Sequence, residues 1–121
     1  MSSEARAALE RARARLDRLE LYPRPVSIRW VWVATVPWLF RLPYFRRFDG
    51  YATHWVIFLR YPVAEARDDL VTHELCHVWQ MQHHPLRMPL SYLATGYERN
   101  PYEQEARHAA AETRPEVPAS A

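Results

Sequence analysis

The sequence predicts an α+β fold in which three helices pack with a short antiparallel or mixed sheet. Apolar residues recur with helical periodicity over three segments, 4–20, 65–83 and 100–113. Two further segments, 26–36 and 51–60, are rich in the β-branched and aromatic residues that are typical of strands. About half of the 121 residues are apolar, so the chain can bury a modest core.

Length and composition limit the class of protein. The 121 residues, 1–121, are expected to form a single domain. The net charge is only +2, and no cluster of arginines is interleaved with aromatic residues, so we expect no nucleic-acid partner. The single cysteine, Cys76, excludes an internal disulfide framework. The apolar run 30–40 is too short to span a bilayer, and the charged N-terminus lacks a signal-peptide pattern. We therefore expect no transmembrane segment and a reducing, cytoplasmic location.

The first predicted helix covers residues 4–20. Its apolar residues recur at i, i+3 and i+4 spacing and form one face: Ala5, Ala8, Leu9, Ala12, Leu16 and Leu19. The opposite face mixes acidic residues with arginines, which is typical of a solvated face and not of a membrane- or RNA-binding arm. Pro23 and Pro25 end the helix.

Two strands follow the first helix. Residues 26–36 predict the first strand, and residues 51–60 predict the second, in which alternate residues point to opposite faces. The segment between them predicts a loop that ends in a turn at Asp49-Gly50. His54 is interpreted as a structural, hydrogen-bonded histidine, because half-buried histidines of this kind are ordinary.

The second predicted helix, 65–83, carries the motif H-E-x-x-H from His73 to His77. Residues four apart lie on one face of a helix, so both imidazoles can reach a single ion. Zinc accepts imidazole nitrogens, and a catalytic zinc site keeps one position open for water. Glu74 lies about 100° round the helix, beside the metal, where it can take a proton from zinc-bound water. The pattern predicts Zn2+ as the cofactor, His73 and His77 as ligands and Glu74 as the catalytic base.

Two neighbours of the motif have less specific interpretations. Asp69 lies one turn before His73 on the same face, where it either orients that imidazole or compensates the dipole of the first helical turn. The sequence favours neither role. Cys76 faces away from the two histidines and is interpreted as a small buried thiol that is neither a zinc ligand nor a nucleophile.

The C-terminal part of the chain predicts one more helix. Residues 84–99 contain two prolines and a glycine, so they predict an irregular connection with a short helical turn at 91–93. Asn100 is a favoured N-cap, and the proline after it is a favoured first residue of a helix, which runs to about Thr113. The tail, 114–121, contains two prolines and is expected to fray.

A catalytic zinc site needs a third ligand from elsewhere in the chain, and three residues are candidates. His83 lies about 280° and about 15 Å from His73 along a straight helix, so it cannot bind the same ion. Glu103 and Glu105 lie about 200° apart on the last predicted helix, so only one of them can face the metal. Glu103 also suits a capping arrangement, in which its carboxylate turns back to the backbone. The residues alone leave this choice open.

The motif residues resemble a known family. The segments 73–80, H-E-L-C-H-V-W-Q, and 100–106, N-P-Y-E-Q-E-A, are similar to the gluzincin zinc metallopeptidases. The similarity is strongest to the short minigluzincin-type domains and to the E-x-E-A-D element of the membrane CAAX-protease relatives. It covers about residues 51–113 and implies a small zincin-like fold with Glu103 as the third zinc ligand. The family's Asp corresponds to Arg107, a departure that bears on activity more than on metal binding.

The resemblance implies a zinc metallopeptidase that hydrolyses peptide bonds in a peptide or protein substrate. Zinc would be held by His73, His77 and Glu103. Glu74 would act as general base and then as proton donor to the leaving amine. The strand 51–60 would be an edge strand that pairs with an extended substrate.

Two alternatives to a peptidase stay open at the level of sequence. A non-catalytic domain would use zinc, or the scaffold alone, to present its edge strand to a partner; the small size and Arg107 favour it. A zinc hydrolase of another amide or acyl substrate would share the chemistry at the metal.

Tyr97 or Tyr102 could stabilise an oxyanion, although both also suit core packing. The sequence predicts neither the substrate nor the oligomeric state.

Overall fold

The structure, a computed structural model, describes residues 1–114 and has the predicted α+β class. Residues 115–121, most of the segment expected to fray, lie outside the described part. The elements in chain order are α1 (Ser3–Leu16), β1 (Trp32–Thr35), a 3-10 helix (Pro37–Arg41), β2 (Gly50–Ala52), β3 (Val56–Leu59), α2 (Asp68–His83), α3 (Arg87–Thr95) and α4 (Pro101–Glu112). Within the described residues, no helix is long and apolar enough to cross a membrane.

The sheet is mixed and has β3 at its centre. β1 pairs with β3 in parallel, and β2 pairs with it in the antiparallel sense on the other side. Ile57 and Leu59 of β3 are fully buried in the core that the sheet shares with the helices. This order leaves β2 as an edge strand next to α2.

The single strand predicted over 51–60 is wrong, because the structure divides it into β2 and β3. The two strands form a hairpin whose turn is closed at Thr53. The side-chain oxygen of Thr53 accepts from the Val56 N–H at 3.0 Å, and its backbone N–H donates to Val56 O at 2.8 Å. Threonine is a good strand residue, so the alternation of apolar residues gave no sign of the turn.

The elements before the hairpin are also shorter than predicted. α1 ends about one turn early, at Leu16, because the chain tightens there: the Leu19 N–H donates to Leu16 O at 2.9 Å. The strand predicted over 26–36 shrinks to β1, because the Val31 N–H donates back to Ile28 O at 3.1 Å and forms a turn. The loop between the strands includes the short 3-10 helix.

α2 packs between α1 and α4. It begins at Asp68, slightly later than predicted, and ends at His83 as predicted. The core shared by these three helices contains Leu9, Leu16, Val71, Leu75, Val78, Trp79, Ala106 and Ala109. Arg11 of α1 fixes the start of α2 through two hydrogen bonds to the Asp68 carboxylate, at 3.0 and 3.1 Å.

The connection 84–99 is more regular than predicted, because it contains the nine-residue helix α3. Pro89 lies in the first turn of this helix, where the N–H that proline lacks would have no helical partner. The proline therefore does not break the helix. Gly96, with φ of 72°, ends it in a conformation that favours glycine.

The last helix, α4, begins as predicted. Asn100 is its N-cap, and the side-chain oxygen accepts from the N–H groups of Tyr102 and Glu103 at 2.8 and 3.3 Å. The amide nitrogen of Asn100 donates to Ser91 Oγ of α3 at 2.8 Å. One buried asparagine therefore fixes both the start of α4 and its position relative to α3.

Candidate metal centre

Three side chains from two helices converge at one point, and they are the three residues predicted to bind zinc. Oε1 of Glu103 lies 2.6 Å from His73 Nε2 and 3.2 Å from His77 Nε2, and Oε2 lies 3.2 Å from His73 Nε2. Within residues 1–114, this is the one group of three or more His, Cys, Asp and Glu side chains close enough to share a metal ion. α2 supplies two of these side chains and α4 the third.

The donor set fits a divalent ion such as zinc. In a tetrahedral site with zinc–ligand bonds of about 2.0–2.1 Å, neighbouring ligand atoms lie about 3.3 Å apart. The His77–Glu103 separation of 3.2 Å is close to this value. The shorter contact, from His73, would have to open by about 0.7 Å. Two imidazoles and one carboxylate are also a ligand set that catalytic zinc sites use.

The geometry decides between the two glutamates, and the capping role considered for Glu103 is wrong. The backbone N–H of Glu103 donates to the Asn100 side chain, but its carboxylate points at the histidines and is completely buried. The carboxylate of Glu105 lies elsewhere. Its Oε1 accepts from Tyr22 OH at 2.6 Å and from Gln80 Nε2 at 3.1 Å.

The electrostatics favour positive charge at this point. Burial acts to raise the pKa of Glu103, but hydrogen bonds from His73 and His77 outweigh it and lower the pKa to about 2. Burial acts to lower the pKa of His77, but the hydrogen bond to Glu103 and the charge of Glu74 outweigh it, so that pKa is raised. A buried ionised carboxylate requires a cationic partner, which an imidazolium or a metal ion can provide.

A buried hydrogen-bond chain behind His77 fixes the orientation of its ring, and sequence reasoning missed it. Gln80 Oε1 accepts from His77 Nδ1 at 2.8 Å, which makes Nε2 available to a metal ion. Gln80 Nε2 in turn donates to Tyr102 O at 2.8 Å and to Glu105. The signal for this contact was present, because Gln80 lies one turn after His77 on the same helix face.

Glu74, the predicted base, lies beside the three converging side chains and against β2. It is only 6% exposed. Burial raises its pKa, although His77, His73 and the backbone of Ala52 act in the opposite direction. Gly50 permits the close approach of β2, because a Cβ at this position would lie 3.2 Å from Glu74 Cγ. The carboxylate of Glu74 is therefore largely buried between a helix and a strand edge.

Asp69 makes no contact with His73, so its suggested role in orienting that imidazole is wrong. Its carboxylate accepts instead from Arg15 Nη2 at 2.8 Å and from Arg114 Nε at 2.7 Å. Arg15 is 7% exposed, and a buried guanidinium requires a carboxylate partner. Asp69 lies in the first turn of α2, where its charge also suits the helix dipole.

Two other histidines, His83 and His54, lie outside the candidate metal site, as the sequence predicted. His83 Nδ1 contacts Trp79 O at 3.1 Å, and its ring stacks on Tyr22 with centroids 4.9 Å apart. His54 Nε2 lies 2.8 Å from Pro85 O, which joins the β2–β3 turn to the end of α2. Neither belongs to the group that could share an ion.

Of the two tyrosines that the sequence suggested for the site, one lies there and the other does not. Tyr97 reaches the site, because its hydroxyl donates to Glu103 Oε1 at 3.1 Å. Tyr102 lies beside His84 instead, with ring centroids 6.1 Å apart. Cys76 is completely buried, as predicted, and burial raises the pKa of its thiol.

The site opens into a cleft with two halves that meet at Gly50, Glu74 and Tyr97. The apolar half, a cavity of about 290 Å³, lies on the His77 side and is lined by Tyr44, Tyr51, Met81, Met88, Tyr92 and Leu93. The arginine half, a cavity of about 600 Å³, lies on the His73 side and is lined in part by Arg47, Arg67, Arg107 and Arg114, together with the acidic residues Asp49, Glu65 and Asp69. An extended ligand can therefore lie across the site with a part in each half.

Comparison with known protein families, curated proteins and solved structures finds no match to this chain. The similarity to the gluzincins accordingly rests on the motif residues. Support for a function comes from the geometry of the site.

Proposed function

We propose that this protein is a zinc-dependent metallopeptidase of the gluzincin type, acting on a peptide or protein substrate. One observation carries the proposal: His73 Nε2 and His77 Nε2 both contact Glu103 Oε1, at 2.6 and 3.2 Å, beside the buried carboxylate of Glu74. This group lies where the two halves of the cleft meet. A metal site and a base at the middle of a cleft suit the hydrolysis of an amide within an extended chain.

Each residue has a role that follows from its position. His73, His77 and Glu103 hold zinc, which supplies Lewis-acid activation of water and of the substrate carbonyl. Glu74 takes a proton from the attacking water and returns it to the nitrogen of the leaving amine. Its raised pKa, a consequence of burial, suits a group that must accept and then donate a proton.

Tyr97 is the side chain best placed to bind a developing oxyanion. Its hydroxyl lies 3.1 Å from Glu103 Oε1, next to the ligand group, and its ring forms part of both halves of the cleft. Burial and the charge of Glu103 raise its pKa, so the hydroxyl stays protonated and can donate a hydrogen bond. Tyr102, the other tyrosine considered from the sequence, has no such contact.

The free edge of β2 can pair with the backbone of an extended substrate. The hydrogen bonds between β2 and β3 are made by alternate residues; the Arg60 N–H, for example, donates to Asp49 O at 2.9 Å. The intervening residues, Gly50 and Ala52, therefore direct their N–H and C=O groups away from β3. The Ala52 N–H already interacts with the Glu74 carboxylate. The N–H and C=O of Gly50 and the C=O of Ala52 border the cleft beside Glu74 and are available for β-augmentation.

Metal content and peptide cleavage test the proposal when wild type is compared with Glu74→Gln. We expect wild type to bind zinc and cleave peptides. The variant should keep the metal and lose cleavage by about 10²–10⁴-fold, because the proton acceptor is gone. Glu112→Gln, the same change at an exposed position of α4, should cleave like wild type. Cleavage by Glu74→Gln at the wild-type rate would show that the assigned mechanism is wrong.

A non-catalytic domain that presents β2 to a partner is a second candidate function, and Arg107 favours it. The guanidinium of Arg107 lies 5.6 Å from the Tyr97 ring centroid and 3.3 Å from Glu98, so a cation occupies the position where the gluzincin motif has Asp. Zinc binding without hydrolysis of any member of a broad peptide library would support this candidate and contradict the first.

A further inference from the structure

Arg47 is a cationic residue at the cleft that the proposed catalytic steps do not use. Its guanidinium carbon lies 4.9 Å from the ring centroid of Phe48, 5.2 Å from that of Tyr97 and 5.5 Å from that of Tyr44. Contacts of this kind hold the planar group against the rings. Within residues 1–114, no carboxylate forms an ion pair with it. Arg47 is exposed, so a guanidinium that lies against three rings and has no carboxylate partner can bind an anion from the cleft.

The other arginines of this half are less suited to bind a ligand. Arg114 is paired with Asp69 at 2.7 Å, and Arg107 is also in an ion pair. Arg67 has no ion pair among the described residues, but no aromatic ring holds its guanidinium in place. Arg47 is therefore the cation of the arginine half that combines an unpaired charge with contacts to three aromatic rings.

Tyr97 places Arg47 close to the reacting centre. The same tyrosine ring that contacts the Arg47 guanidinium carries the hydroxyl that donates to Glu103 Oε1 at 3.1 Å. Only one side chain therefore separates the guanidinium from the metal ligands. A substrate residue bound by Arg47 must lie near the bond that is cleaved.

The direction of β2 indicates which side of the substrate lies at Arg47. Asp49 borders only the arginine half, Gly50 borders both halves, and Tyr51 and Ala52 border only the apolar half. A substrate strand that pairs with β2 in the more stable antiparallel sense runs the opposite way. Its residues after the scissile bond then lie in the arginine half.

We propose that Arg47 binds a substrate carboxylate on the carboxyl-terminal side of the scissile bond. That carboxylate is either an Asp or Glu side chain or the terminal carboxylate of the substrate. The inference rests on the proposed peptidase function and narrows its substrates to peptides with negative charge after the cleaved bond. Residues before the bond lie in the apolar half.

Peptides that differ only in charge test this subsite. Mass spectrometry first identifies a peptide that the zinc-loaded wild type cleaves. Glu or Gln is then placed at each of the two positions on either side of the scissile bond, with a free or an amidated C-terminus. We expect Glu after the bond, or a free terminus close to it, to raise kcat/KM about tenfold over its neutral counterpart. The same change before the bond should have no such effect.

Two arginine variants separate the subsite from a general effect of charge. Arg46, the neighbour of Arg47, is exposed as Arg47 is, but it does not border the cleft. The preference for Glu, or for the free terminus, should disappear in Arg47→Gln and persist in Arg46→Gln. An unchanged preference in Arg47→Gln, or a preference for Glu before the bond, would overturn the inference.

Binding distinguishes a failure of this inference from a failure of the proposed function. Fluorescence anisotropy of labelled Glu and Gln peptides requires no hydrolysis and can be measured on zinc-loaded Glu74→Gln with and without Arg47→Gln. If wild type cleaves nothing, the proposed function fails, yet tighter binding of the Glu peptide that depends on Arg47 supports the subsite. If cleavage depends on Glu74 and the charge of the peptide has no effect on cleavage or binding, only the subsite is wrong.

Discussion

Glu103 and Glu105 show, at the scale of single residues, what the sequence can and cannot decide about a site. The two proposed histidine ligands follow from spacing alone, because His73 and His77 lie on one face of one helix. The third ligand depends on how α4 is rotated against α2, and burial of apolar residues such as Ala106 in the shared core sets that rotation. The local sequence pattern does not determine this packing. The residues alone therefore left both Glu103 and Glu105 as candidates for the third ligand.

Gln80→Leu should weaken zinc binding about 10–100-fold, because His77 Nδ1 loses the acceptor that orients its ring. Competition with a chromophoric chelator measures the affinity, and circular dichroism checks that the variant is folded. Gln104→Leu, at an exposed position of α4, is the matched control and should bind zinc like wild type. Equal affinities for Gln80→Leu and wild type would show that this amide has no orienting role.

At the scale of elements, the sequence predicted best where the signals were local. The start of α4 was predicted because an asparagine N-cap and a following proline act on the next few residues. The hairpin turn at Thr53 was missed because threonine also favours strands. Only a short turn at 91–93 of α3 was predicted, because Pro89 suits a loop as well as a first helical turn. In both cases one residue type is compatible with two local structures, and tertiary packing selects between them.

Asp69 joins α1, α2 and the end of α4, so Asp69→Asn should lower the free energy of unfolding by about 1–3 kcal/mol. The loss arises because the buried Arg15 would keep its charge without a carboxylate partner. Asp68→Asn is the matched control on the same helix turn. Its partner Arg11 and Asp68 itself are each about half exposed, so the cost there should be at most about 1 kcal/mol. Urea unfolding of both variants measures the difference, and equal losses would contradict the assignment.

The contribution of Asp69 to stability should also depend on pH. Burial acts to raise the pKa of its carboxyl, but hydrogen bonds from Arg15 and Arg114 outweigh it and lower the pKa. The contribution is therefore complete above the unfolded pKa of about 3.9 and is lost as the pH falls through the lower folded pKa. The difference in free energy of unfolding between wild type and Asp69→Asn should shrink in acid. A difference that is constant from neutral pH down to about pH 2 would be inconsistent with this pairing.

At the scale of the whole molecule, the N-terminal third carries no chemical motif, and its role becomes visible only in the fold. α1 packs against α2, and the segment after it accepts a hydrogen bond from Trp79 Nε1 at Arg24 O, at 2.8 Å. The sequence predicted the α+β class and the two helices that carry the three converging side chains. It did not predict the two-sided cleft, because β2, α3 and α4 come together there from distant parts of the chain.

Zinc should stabilise the whole molecule, because its ligands come from helices that are separated in sequence. His73 and Glu103 are 30 residues apart, so the unfolded chain has no preformed site. Free zinc at 100 times its dissociation constant should add about 2.7 kcal/mol to the free energy of unfolding, and a chelator should remove this gain. Thermal unfolding with and without zinc measures the effect. Glu103→Gln should lose most of it, while Glu112→Gln should keep it.

The central claim is that His73, His77 and Glu103 bind one divalent ion next to Glu74. Anomalous X-ray scattering at the zinc edge, from crystals grown with zinc, tests it most directly. We predict a peak about 2.0–2.2 Å from Nε2 of each histidine and from a carboxylate oxygen of Glu103, with a further position open to the cleft. Zinc that binds elsewhere in the crystal and leaves this position without a peak, or a peak here that is not in contact with Glu103, would contradict the claim.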